Sequence, residues 1–381
     1  MNVREATADE IAAWDGRTVD APGGHVYQSR AWAEVRRASG WRPRFLVGED
    51  GGMTLALTRP WPVVGGGSAY IPRGPVPMPD EPAGGAPSLA DRQLAVADAL
   101  AGEGIDVVAA DPEVPASDTA FRERILAAGF RPIEEIQPSR HRVSLPLGGD
   151  ADGAAVFDGI AKSTRQRIRG AERDGIVVAR HDARPGGDGA GEWFVTPTEP
   201  AATALDRFYD LLLETGERRH FSFGPRSMFV GWWRAACDAG HLVYLEAQAG
   251  RAEEGGSRSA DASETLAGLI LYRHGGRLST VHSGDHAATR SRHPGALHLL
   301  RWRAIQLAIG EGCSEMDLGG VDIAGSRGEP REGDPLYGLY QHKRAFGGRW
   351  LELTGAHERV FDPRGYTLGR LAGRVARLAG R

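Results

Sequence analysis

Cysteine is nearly absent from this chain of 381 residues: only Cys237 and Cys313 occur, with no CxxC pair. A disulfide framework and a structural zinc site therefore have almost nothing to be built from, and both thiols read as small buried hydrophobes. Long apolar runs are missing too. No stretch reaches the ~18 uninterrupted apolar residues of a membrane helix, and Met1-Asn2-Val3-Arg4-Glu5 leads into no signal-peptide core. Neither charge sign dominates, since 46 Lys+Arg face 50 Asp+Glu for a net charge of −4. There is no global basic field for nucleic acid, and a polyanion would need a local patch. No P-loop and no GxGxxG fingerprint is present, which leaves ATP and dinucleotide chemistry unsupported. A cytoplasmic enzyme or binding protein is the expectation that remains.

The length suggests two domains. Hydrophobic residues make up 41% and charged residues 25%, which excludes wholesale disorder. The 53 glycines and 23 prolines cluster between periodic segments, as turn chemistry does. Two regions follow one order of elements. In the first, Arg44 to Val47 predicts a strand, Met53 to Leu57 its antiparallel partner and Ser68 to Pro72 a third strand; Ala90 to Glu103 has helical spacing, and Ile105 to Ala109 is a further strand. In the second, Leu242 to Glu246 pairs across a polar insertion with Leu266 to Tyr272. Leu278 to His282 is the third strand, a helix runs from about Leu297 to Gly310, and Cys313 to Leu318 forms the next strand. The repetition predicts an α/β protein with two similar cores.

Three stretches rich in glycine and small polar residues punctuate this plan. Gly148 to Ala155 reads as a domain boundary, Pro185 to Gly191 as a second interruption and Gly250 to Ser263 as a long hairpin loop. Helical patterns cover Phe157 to Arg173 and Ala204 to Glu217. The stretch Arg364 to Arg381 places Leu368, Leu371, Val375 and Leu378 on one side and arginines elsewhere, so it could bind anionic lipid or tRNA or pack on its domain.

Several strings occur in one family order: Tyr27-Gln28-Ser29 with Trp32, Tyr70-Ile71-Pro72-Arg73-Gly74-Pro75, Lys162-Ser163-Thr164-Arg165, and Gly338-Leu339-Tyr340 running into Lys343 and Phe346-Gly347-Gly348. As a set they resemble the FemABX aminoacyltransferases, the peptidoglycan bridge enzymes. The resemblance implies two tandem GNAT-like domains, 1–147 with 355–381 returning to it and 148–354, without a coiled-coil arm. It implies transfer of an amino acid from aminoacyl-tRNA to the stem-peptide amine of UDP-N-acetylmuramoyl-pentapeptide or lipid II. It also implies no cofactor beyond that co-substrate, a monomer, and a cytoplasmic place that could touch the inner face of the membrane.

Residue by residue, the resemblance assigns Lys343 to the oxyanion and the donor's terminal ribose, with His342 standing where relatives have an aromatic neighbour. Asp111, in a strand-terminal Asp-Pro, matches a carboxylate that could accept a proton or orient the amine. Arg36, Arg73 and Arg218 are candidates for the acceptor's phosphates, and His298 replaces a tyrosine near sugar or peptide. Lys162, Arg165 and Arg169 give a basic helix face for tRNA. Each has a plainer reading: a solvated lysine, an Asx-type turn, a surface salt bridge, a charged helix in water.

Other functions stay open at this point. An acyl-CoA-dependent N-acyltransferase would use a pyrophosphate loop at a helix N-terminus, and Arg292-His293-Pro294-Gly295-Ala296-Leu297 approaches that pattern but has leucine at its last position. A tRNA-dependent enzyme acting on a small or antibiotic amine is related. A metal hydrolase is suggested only by His282, Asp285, His286 and His293 in one segment, and no metal is expected. A non-catalytic module that binds wall precursors is a third class.

Overall fold

The computed structural model describes the chain except residues 79–85, 138–139, 149–151, 185–192, 220–222, 253–257, 260–263, 322–327 and 380–381. The stretch Pro185 to Gly191 and parts of the other two glycine-rich stretches lie outside the described residues. Two compact units form: unit 1 from Met1–Arg142 and Leu351–Arg381, unit 2 from Val143–Ile323 and Glu329–Trp350.

In chain order the strands are β1 (Val3–Glu5), β2 (Arg42–Gly48), β3 (Met53–Pro60), β4 (Gly67–Ile71), β5 (Val107–Ala110), β6 (Arg131–Pro132), β7 (His141–Pro146) and β8 (Ile176–His181). They continue as β9 (Leu242–Ala249), the short β10 (Arg251–Ala252) and β11 (Arg258–Ser259), β12 (Thr265–His274), β13 (Arg277–Asp285), β14 (Glu315–Asp317), β15 (Arg349–Glu352) and β16 (His357–Val360).

Unit 1 is a seven-stranded sheet in the order β1-β2-β3-β4-β5-β16-β6, and unit 2 is another in the order β8-β9-β12-β13-β14-β7-β15. The two orders match position for position. In each, an antiparallel run leads to one parallel pair, β4 with β5 and β13 with β14. A parallel pair needs a crossover, and a helix supplies it each time: Ala86–Gly102 in unit 1 and Ala296–Gly310 in unit 2. In each, a strand remote in sequence then pairs antiparallel beside the parallel pair, β16 on β5 and β7 on β14.

Alternating apolar strands and amphipathic helices bury separate cores. Leu94, Val96, Leu100, Phe121 and Ile125 pack in unit 1, and Leu245, Leu269, Leu271, Leu299 and Ile305 in unit 2. The crossover helix of unit 2 is buried on nearly every side, including at Arg301. The helical pattern over Phe157 to Arg173 is corrected to two helices, Gly153–Gly159 and Lys162–Arg173. The break arises because the Ala161 N–H donates to the Ala345 carbonyl at 2.8 Å and Arg165 caps the carbonyls of Asp158 and, at 2.9 Å, Ile160.

Candidate active site

Both clusters of interest lie where a parallel strand pair ends, the usual place for sites in α/β sheets. In unit 2 the chain leaves β14 through Leu318 and Gly319. The Gly319 N–H donates to Asp317 Oδ1 at 2.7 Å, and its φ of +81° lies in the left-handed region. A Cβ there would stand 2.8 Å from the Thr280 carbonyl oxygen and 3.1 Å from Lys343 Nζ, so only glycine lets the turn and the lysine come this close.

Lys343 sits near the end of the helix Tyr337–Arg344, is 5% exposed, and donates from Nζ to the Gly320 carbonyl at 2.6 Å. Its neighbour His342 accepts at Nε2 from Arg301 Nε at 3.0 Å, and its ring meets His298 edge-on at 4.7 Å between centroids. Arg301 is 3% exposed, with its Nη1 also 3.5 Å from the Leu318 carbonyl.

The electrostatics follow from burial. Arg301 is pushed down to about 10 by desolvation, and among the described residues no carboxylate pairs with it. Burial, reinforced by the nearby cations, pushes His298 down to about 4 and His342 to about 2. Both imidazoles are therefore neutral at physiological pH. A guanidinium can only donate, so His342 Nε2 is an acceptor and the proton of the neutral ring is assigned to Nδ1. Lys343, His342 and His298 are thus brought together as one cluster, with Arg301 at its base.

In unit 1, Asp111 follows β5 and is 1% exposed. Its carboxylate accepts from Tyr70 Oη at 2.9 and 3.0 Å and from the Arg73 N–H at 2.7 Å, with Arg73 Nε 3.9 Å away. Burial pushes Asp111 up to about 6, against the opposing pull of Arg73. These bonds make Asp111 the anchor of the Pro72–Arg73 turn. Gln28 holds the same turn, donating from Nε2 to the Pro72 carbonyl at 2.7 Å while its Oε1 accepts from the Leu55 N–H at 2.7 Å. Arg73 is accordingly buried beside a carboxylate.

Arg36 lies on the helix Arg30–Ala38, which Ser29 caps through the Trp32 N–H at 3.0 Å. Its guanidinium lies over both Trp32 and Trp41, 5.3 and 5.4 Å from their rings, and Arg59 also lies over Trp41 at 5.8 Å. Burial, then Arg59, weakens its hold on the proton against the pull of Tyr70. Arg218 is differently placed: it pairs with Asp285 at 2.7 Å and Glu214 at 3.6 Å, and Arg290 shares Asp285. On the helix Lys162–Arg173, Lys162 is exposed, Arg165 is engaged with backbone carbonyls, and Arg169 covers the Phe157 ring at 5.3 Å.

The histidine-rich segment is divided among separate contacts. His282 lies among Phe223, Phe229 and Trp233, and His286 Nδ1 is 2.7 Å from Glu214. Among the described residues no group of three His, Cys, Asp or Glu side chains converges to hold a metal. Arg301 is the residue the sequence reading passed over. Its signal was an arginine inside the apolar run Leu299, Leu300, Trp302, off the polar side that Arg303 and Gln306 make.

Residues 161–344 match the family model of the acetyltransferase (GNAT) domain. Unit 2 is similar to a GNAT domain over these residues. GNAT domains are acyltransferase domains, and the duplicated sheet makes the whole a tandem GNAT fold. The crystal structure of FemX is similar over 97% of this chain and 99% of that one, with a TM-score of 0.72 at 18% identity. The structure of L-PGS from Bacillus licheniformis aligns over 98% of both chains with a TM-score of 0.49 at 13% identity. No curated protein matches in sequence. The resemblance to FemABX enzymes therefore extends to the fold, and among the described residues there is no coiled-coil arm.

Proposed function

We propose that this tandem GNAT protein transfers an aminoacyl group from aminoacyl-tRNA to an amine of a peptidoglycan precursor. The amine nitrogen attacks the ester carbonyl carbon, a C–N bond forms, the C–O bond to the terminal ribose breaks, and the proton lost by the amine ends on the ribose oxygen, which leaves as the hydroxyl. Negative charge develops on the carbonyl oxygen. Lys343 is the group assigned to that oxygen, and the observation that carries the reading is its burial beside the buried Arg301, with Gly320 fixing Nζ and, among the described residues, no carboxylate paired with Arg301. A preformed donor of this kind typically supplies ~3–4 kcal/mol of transition-state stabilisation. The neutral His342 adds an N–H donor next to Lys343 without adding a charge. Arg36, lying over two indoles, is the acceptor-phosphate candidate with no described ion pair, whereas Arg73 and Arg218 are already engaged by carboxylates.

Packing at the rival pyrophosphate corner supports the same reading. A Cβ on Gly295 would stand 2.4 Å from the Arg167 carbonyl oxygen and 2.9 Å from Ala171 Cβ, so the helix Lys162–Arg173 covers the turn that starts the crossover helix. A CoA pyrophosphate would have to displace that contact. The test is incubation with UDP-N-acetylmuramoyl-pentapeptide or lipid II and a panel of charged tRNAs, followed by mass measurement of the acceptor. A mass gain of one amino acid, lost in Lys343→Met, is expected. No gain with any tRNA, alongside acylation from a CoA thioester, overturns the proposal.

A further inference from the structure

The helix Pro363–Ala379 lies on unit 1 by one narrow face. A Cβ on Gly365 would meet Asp106 Oδ1 at 2.6 Å, and one on Gly369 would meet Trp61 at 2.2 Å. Glycines four apart thus let the helix backbone sit against the Trp61–Asp106 pair, which is itself joined by a 2.5 Å hydrogen bond from Trp61 Nε1. The rest of the circumference faces away from unit 1. There Leu368, Leu371 and Val375 are 55%, 52% and 65% exposed. Spaced at i, i+3 and i+7, they form one stripe, about 100–160° round the helix from Gly369.

The polar part of the outer surface has a single sign. The helix sequence contains Arg364, Arg370, Arg374 and Arg377 and no Asp or Glu, in a chain whose net charge is −4. Arg370 donates to Tyr366 Oη at 2.7 Å and stacks on its ring. Among the described residues no carboxylate pairs with Arg364, Arg370 or Arg374. An apolar stripe whose charged neighbours on the helix are arginines, already anchored along its opposite side, is chemically matched to an interface that is apolar below and anionic above.

We propose that this helix docks the protein on an anionic lipid bilayer, with Leu368, Leu371 and Val375 entering the headgroup boundary and the arginines meeting lipid phosphates. The other occupants fit less well. A second copy on this face would bring like-charged arginines together with no carboxylate to offset them. An RNA backbone would satisfy the arginines and leave the stripe in water. The surface lies outside both clusters described above, so its test is independent of the transfer chemistry.

The experiment is sedimentation of the full chain with vesicles of phosphatidylcholine alone or mixed equally with phosphatidylglycerol. The chain is expected to pellet with the mixed vesicles, to stay in solution with phosphatidylcholine, and to be released by salt. Arg370→Ser and Arg374→Ser should each weaken binding about five-fold. Leu368→Ser/Leu371→Ser/Val375→Ser, all at exposed positions, should abolish it while leaving the thermal melt unchanged. The proposal is overturned if the chain ignores both vesicles, or if the triple variant binds as before. It is equally overturned if the triple variant instead dissolves a dimer or loses tRNA.

Discussion

Replacing Arg301 by methionine separates stability from function at the candidate site. The side chain is buried, carries a full charge and, among the described residues, has no carboxylate to offset its desolvation. Its fall to about 10 from the ordinary guanidinium value corresponds to ~3 kcal/mol of cost for holding the charge inside the fold. Methionine matches its length and removes that cost. Against this stands the bond to His342 Nε2, a charge-assisted bond of ~1.5–3 kcal/mol. The expected net is a gain of ~1 kcal/mol in Arg301→Met, read by urea unfolding with hydrogen exchange of the Ala296–Gly310 amides reporting on unit 2. Aminoacyl transfer should fall about 10- to 100-fold in kcat, at most ~3 kcal/mol of transition-state stabilisation. Nitrogen NMR should show the His342 proton leaving its fixed position on Nδ1, and Arg301→Lys should restore part of both signals. A loss of more than ~2 kcal/mol in stability would make Arg301 a structural residue. Unchanged transfer would remove it from the site.

Lys343→Met should lower kcat by about 10²–10³-fold with little change in the melt, and Lys343→Arg should recover only part of the loss. Gly319→Ala forces a Cβ against the Thr280 carbonyl at positive φ, so a destabilisation of ~1–3 kcal/mol and a displaced Lys343 are expected, measured by melting and kcat. Asp111 has its proton affinity raised in the fold, so its contribution favours the folded state below pH ~4 and fades as pH rises through about 6. Asp111→Asn should flatten unfolding free energy across that interval; an unchanged slope refutes the assignment. His298 has the opposite sign: the unfolded chain takes up a proton near 6.5 that the folded one refuses until about 4. Stability should therefore drop by up to ~2 kcal/mol between pH 7 and 5, and His298→Gln should lessen the drop.

Much of the fold was legible because its signals are local. The spacing of Leu299, Leu300, Ile305 and Ala308 marks the crossover helix, and the β9 and β12 runs, long and apolar, declare a hairpin despite the insertion between them. The strands β7 and β16 left little trace. Each is short and is defined by a partner far along the chain, β14 and β5, so no window of sequence contains the pairing. At the site, Lys343, His342 and His298 were legible through motif order, and the structure places them in one cluster. Arg301 was hidden by its own setting, an arginine read as part of an apolar run. For Arg165 and Arg218 the sequence showed the charge but could not show that backbone carbonyls and Asp285 already hold it.

The place of β16 between β5 and β6 bears on how the chain is made. Roughly 250 residues separate β5 from β16, so at ribosomal rates of about 5–20 residues per second the unit 1 sheet waits some 12–50 s for that strand. Unit 2, whose last segment ends at Trp350, has all its strands first. The amino-terminal half of this protein is then the last to close. During synthesis it presents the unpaired edge of β5, an opening for mispairing with neighbouring chains on the same message.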